Sequence, residues 1–123
     1  MSEEIYERGM RTRREVLGDE HVDRAAAGSR AFQELITRCA WGEVWSRPGL
    51  DRRSRSCVTL GMLVALGRFD ELELHLQAAL RNGLTREEIE EVLLQTAVYA
   101  GFPAANSAFR VLERALGPLR PCS

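Results

Sequence analysis

The sequence predicts an all-α fold, a helical bundle of about six helices forming a single domain over residues 1–123. Three observations carry the prediction. Apolar residues recur at i, i+3 and i+4 along the chain. Segments open and close on cap signals, with Thr85-Arg86-Glu87-Glu88 reading as a capping box and Gly83, Gly101 and Gly117 standing at helix ends. No alternating β run and no hairpin dipeptide occurs.

The first helix, residues 3–17, has sparse apolar positions at Ile5, Met10 and Leu17. Its Arg8, Arg11, Arg13 and Arg14 interleave with Glu3, Glu4, Glu7 and Glu15, which predicts a solvated, self-paired face rather than a phosphate site. Gly18 ends this helix, and Asp19-Glu20-His21 reads as a polar turn with His21 exposed. Residues 22–30 read as a loop around Gly28, with Ser29 as N-cap of a helix from Arg30 to Trp41. That helix places Phe32, Leu35, Ile36, Cys39 and Ala40 on one face, with Cys39 as a small core residue. In WGEVWSRPGL, Trp41 and Trp45 flank Glu43 ahead of Arg47-Pro48-Gly49. This is either an elbow packed on its own tryptophans or the wall of a pocket.

Residues 51–66 start from Asp51 as cap and turn almost wholly apolar after Ser56, as expected of a helix at a bundle centre or a subunit contact. Of its arginines, Arg55, one turn before Thr59, is the one expected to face inward. The next helix takes Asp70 as N-cap, carries Leu72, Leu76, Ala79 and Leu80, and ends at Gly83. His75 falls inside that apolar stripe. Arg68, Glu71 and His75 are spaced i, i+3, i+7, so a cation, a carboxylate and an imidazole share one face. They form either a proton-handling array or a core histidine beside a surface ion pair. After the capping box, Ile89, Val92, Leu93, Ala97 and Ala100 line a helix that ends at Gly101. Pro103 opens the last helix, whose Ala104, Ala105 and Ala108 permit close packing.

A net charge of −1 argues against a dedicated nucleic-acid or membrane-surface protein. All 17 basic residues are arginine, so a lysine Schiff base is excluded and planar groups for carboxylates abound. Cys39, Cys57 and Cys122 are odd in number and far apart, which predicts neither a disulfide framework nor a zinc site and fits a reducing cytoplasm. No secretory h-region or membrane span is expected. With no GxGxxG, P-loop, HExxH or GxSxG, nucleotide cofactors, metalloprotease chemistry and serine hydrolysis have no support.

Taken together, RxRREVLGDEHVDR, AWGEVWSRPGL, RSRSxVTLGMLVAL, RxDELxLHLxAALRNGxTxEEIxEVLL and AVYxGxPAANxAF resemble the carboxymuconolactone decarboxylase family, from about Tyr6 to Leu112. The resemblance implies an alkylhydroperoxidase D-like all-α fold, a homo-oligomer (trimer or hexamer), and neither metal nor organic cofactor. In the peroxidase branch a CxxCxxxH motif ends on the position of His75. Here its cysteines are replaced by Arg68 and Glu71, which implies the decarboxylase branch. The sequence departs from the family at Cys39, Gln95, Ala100 and a short stretch between Asp23 and Phe32, departures that bear on the substrate more than on the reaction.

The implied activity is decarboxylation of 4-carboxymuconolactone to 3-oxoadipate enol-lactone in protocatechuate breakdown. The lactone carbonyl accepts the electrons left by carbon dioxide, and a proton then goes onto the α carbon. The expected proton donor is His75, oriented by Glu71, or else Glu43 if Trp41 and Trp45 desolvate it. Arg55 or Arg47 is expected to hold the acetate arm, and Arg68, Trp41, Trp45 and Tyr99 to complete the substrate site. The alternatives are a relative acting on another activated acid in specialised metabolism and a non-catalytic oligomer that binds a small acid.

Overall fold

Periodic, capped segments become seven α-helices in the computed structural model, which describes residues 2–118. Cys122 lies outside the described residues. In chain order the helices are α1 (Ser2–Leu17), α2 (Asp19–Ala25), α3 (Arg30–Ile36), α4 (Arg52–Leu66), α5 (Phe69–Arg81), α6 (Arg86–Ala100) and α7 (Phe102–Leu116). From α3 the chain runs on as a wider π-helix, Thr37–Trp45. No strand occurs among the described residues. Contacts divide the chain into two units, one ending at Arg52 and the next starting at Arg53.

In the first unit α1 lies against the π-helix, glycine against glycine. A Cβ on Gly9 would stand 2.1 Å from the Thr37 carbonyl oxygen, and one on Gly42 would stand 2.6 Å from that of Ile5. Polar groups of α1 fasten the widened turns, whose backbone bonding is less regular than that of an α-helix. Arg8 donates Nη2 to the Gly42 carbonyl at 3.0 Å. The Ser46 hydroxyl lies 2.8 Å from Thr12 Oγ1 and donates to the Trp41 carbonyl at 2.6 Å.

Several expectations change in this unit. The helix continues past Trp41 to Trp45, so the turn begins only at Ser46. Residues 19–25 are helical where a turn and loop were expected, because Gly18, at φ 88°, breaks the chain and leaves Asp19 and Glu20 at a fresh helix N-terminus that favours acids. Val22 anchors that helix as a buried residue, and His21 is half-buried rather than exposed. Packing falls to Thr37 and Trp41 of the π-helix, leaving Phe32 and Leu35 of α3, and Cys39, exposed instead of in the core. Arg13 is buried, not part of a solvated face.

The second unit has the oily core. Leu60 and Val64 of α4, Leu72 and Leu76 of α5, Ile89 and Leu93 of α6, and Ala108 and Leu112 of α7 are all fully buried and form one cluster. Ala105 and Ala108 put small side chains on the buried face of α7, which packs on α5 and α6. Gly83 takes φ 97°, letting the Leu84 amide close on the Ala79 carbonyl at 3.0 Å as the helix stop predicts. The Thr85–Glu88 capping box forms in both directions. Helix α5 starts two residues earlier than expected, with Arg68 at the N-cap and Asp70 in the first turn. Helix α4 buries one stripe, while Val58, Met62 and Leu66 stay exposed, and on α5 Leu80 does likewise.

Candidate functional site

Helix α5 seats the array that its spacing predicts. The Arg68 guanidinium donates to the Glu71 carboxylate across one turn. That bond is the main reason the Glu71 pKa lies below the usual carboxylate value; its own backbone amide adds to the lowering, and the nearby His75 charge adds a little more. Arg68 is correspondingly raised, first by the same bond. His75 is half-buried, one residue before the fully buried Leu76. The imidazole thus stands at the edge of the core, neither sealed in nor fully exposed, beside a carboxylate whose pKa is lowered. A side chain so placed can hold a proton next to a fixed negative charge.

The other expected residues fall elsewhere. Arg55 of α4 is half-buried, and its backbone carbonyl accepts from Thr59 Oγ1 at 2.7 Å. Tyr99, 85% exposed, borders an apolar groove of about 390 Å³ between α4 and α6. Cys57, Val58, Gln95 and Ala100 also line it, so two of the departures noted in the sequence meet in one place. His75, Glu71 and Arg55 are not among its lining residues.

In the first unit, Trp41 and Trp45 stack at a centroid distance of 5.0 Å and an interplanar angle of 22°. Trp41 is buried, Trp45 half-buried, and Glu43 exposed. The desolvation expected to make Glu43 an acid is therefore missing, because positions 41 and 45 come together while 43 points away from the packed face. Arg47 is exposed in the turn that follows.

Arg13 escaped the sequence reading as a site residue. It lines a second cavity, of about 290 Å³, with Tyr6, Arg14, Arg30 and Gln33. The missed signal was the stripe Gly9, Thr12, Arg13, Val16 and Leu17, at i, i+3, i+4, i+7, i+8, all buried.

Residues 30–114 match the sequence model of the carboxymuconolactone decarboxylase family. The chain belongs to this family. It is 49% identical to a 4-carboxymuconolactone decarboxylase of Acinetobacter baylyi, over 90% of this chain and 86% of that protein. It is also 41% identical to the nitrosuccinic acid decarboxylase npaB of Metarhizium robertsii, over 94% of this chain and 83% of that protein. Within the family the Arg68, Glu71 and His75 array acquires a context: both of these named relatives remove a carboxyl group. Among the described residues no helix is long and apolar enough to cross a membrane.

Proposed function

We propose that this chain is a cofactor-independent carboxy-lyase that converts 4-carboxymuconolactone into 3-oxoadipate enol-lactone. The observation that carries the reading is its 49% identity, along 90% of its length, to a protein of that name. The chemistry suits an array without an electron-accepting group. The γ carbon of the butenolide bears both the departing carboxylate and an acetate arm. When carbon dioxide leaves, its bonding pair moves through the ring onto the lactone oxygen, giving a furan-2-olate. Protonation of the α carbon then gives the enol-lactone.

His75 delivers that proton, and Glu71 orients the imidazole. Arg68 holds the Glu71 carboxylate and adds a cation at the substrate site. Arg55 grips the acetate arm through a planar guanidinium. Tyr99, on the α4/α6 groove, supplies apolar contact for the ring.

The working enzyme is a homo-oligomer, a trimer or hexamer, joined through α4 and α6. Val58, Met62 and Leu66 of the first, and Leu94, Val98 and Tyr99 of the second, are 51–85% exposed, more apolar surface than a lone chain ordinarily leaves in water. Light scattering of Met62→Glu should then report smaller particles than wild type. The exposed Cys39 thiol fits a reducing cytoplasm.

A second reading, decarboxylation of a different activated acid, is favoured by the nitrosuccinic acid relative and by Gln95 and Ala100 lining the α4/α6 groove. A nitro group is an electron sink as the lactone carbonyl is, so the same array serves both. The experiment is to incubate the protein with each acid and follow carbon dioxide and organic product. Faster turnover of 4-carboxymuconolactone supports the first reading, and preference for nitrosuccinate supports the second. No turnover of either acid leaves a small-acid-binding oligomer and sinks both.

A further inference from the structure

A buried cation normally has an anion against it, since desolvating a guanidinium is costly and a carboxylate offsets that cost. Arg13 has none. It is only 5% exposed. Nη1 donates to Thr37 Oγ1 at 3.1 Å and Nη2 to Gln33 Oε1 at 2.8 Å, both neutral acceptors. Its Nε–H is buried with no acceptor at all. Burial holds the guanidinium below its usual pKa, with Tyr6 opposing and Arg14 adding to the effect.

The residue borders the cavity of about 290 Å³ between α1, α2 and α3. Of the other charged residues on its wall, Arg14 is already bonded to Asp19 at 3.0 Å and to Asp23 at 2.9 Å. Arg30 and Glu34 are exposed and balance each other in sign. None of these carboxylates is bonded to Arg13, whose buried guanidinium meets only neutral acceptors. Its size, at the lower end of ligand pockets, suits a small organic acid and not a nucleotide or a peptide.

We propose that this cavity binds a small carboxylate, which supplies the counter-charge that the buried Arg13 guanidinium lacks. The site belongs to the first unit and uses none of the residues assigned to decarboxylation. Gln33 occupies the guanidinium with a neutral oxygen and lines the same cavity, so it is the side chain an entering carboxylate displaces.

The test is a titration of the ¹⁵N-labelled full chain with succinate, reading the arginine Nε–H resonances, with the Arg13 signal assigned from Arg13→Gln. Neutral succinamide and inorganic phosphate are the controls. Succinate should move the Arg13 Nε–H saturably and succinamide should not. Gln33→Glu places a carboxylate on the guanidinium within the chain without removing the arginine, and should weaken succinate binding by about tenfold or more. His75→Ala should bind as wild type does. Absence of a saturable Arg13 shift, or equal affinity in Gln33→Glu, overturns the proposal. Tighter binding of phosphate than of succinate overturns the choice of carboxylate.

Discussion

The Arg68 guanidinium grips the Glu71 carboxylate one turn ahead of His75, and this contact, above all others, lowers the Glu71 pKa. A carboxylate whose pKa is depressed in the folded protein keeps its charge to lower pH than it would without the bond. If that charge sustains the imidazolium, removing Arg68 must move the acid limb of activity. In Arg68→Gln the Glu71 pKa returns upward, and the acid limb of kcat should shift to higher pH with KM changed much less. A pH–rate profile identical to that of wild type would mean that Glu71 takes no part.

His75 itself offers a cleaner separation of fold from chemistry. The ring is half-buried beside the core, so His75→Ala leaves no large cavity and should melt close to wild type. Losing one charge-stabilising donor typically costs about 2.7–4 kcal/mol of barrier. Turnover of 4-carboxymuconolactone should therefore fall about a hundredfold or more. Near-normal kcat in a folded variant would take His75 out of the reaction.

Gly9 makes a prediction whose sign opposes helix propensity. In an exposed helix interior, Gly→Ala stabilises by about 1 kcal/mol. Here the new Cβ would meet the Thr37 carbonyl oxygen at 2.1 Å and the Gly42 nitrogen at 2.8 Å, both backbone atoms that no rotamer change can clear. Gly9→Ala should lower stability by about 1–3 kcal/mol or more. Urea unfolding, comparing midpoints with slopes checked for constancy, reads the effect directly.

The same glycine marks where the sequence stops being readable. Helices whose faces are apolar, such as α5 with Leu72 and Leu76 or α6 behind its Thr85–Glu88 box, announce themselves through period and cap. The face of α1 is built from Gly9, Thr12 and Arg13, which periodicity of hydrophobicity does not register. Its partner, the π-helix, depends on tertiary contacts from Arg8 and Thr12 that no local pattern encodes. The site divides in the same way. The shared face of Arg68, Glu71 and His75 was legible because α5 and its N-cap carry all three, whereas the exposure of Glu43 follows from the extension of the π-helix through Trp45.

Glu88 closes the capping box and also accepts from Arg53, at 2.6 Å from Nη2 to Oε2. The Arg53 bond first, then the Thr85 amide, bring its pKa from 4.5 down to about 2. The folded state thus binds this proton less readily than the unfolded chain, so the carboxylate contributes stability above the unfolded pKa that is lost as pH falls from about 4.5 to about 2. Glu88→Gln keeps an acceptor for the Thr85 amide but removes the ion pair with Arg53. Its urea midpoint should lie below that of wild type at pH 7, and the gap should close as pH falls toward 2. Because both side chains are largely in water, added salt should narrow the gap at pH 7 as well. A gap that persists unchanged at the acid end would assign the effect to packing of the glutamate and not to its charge.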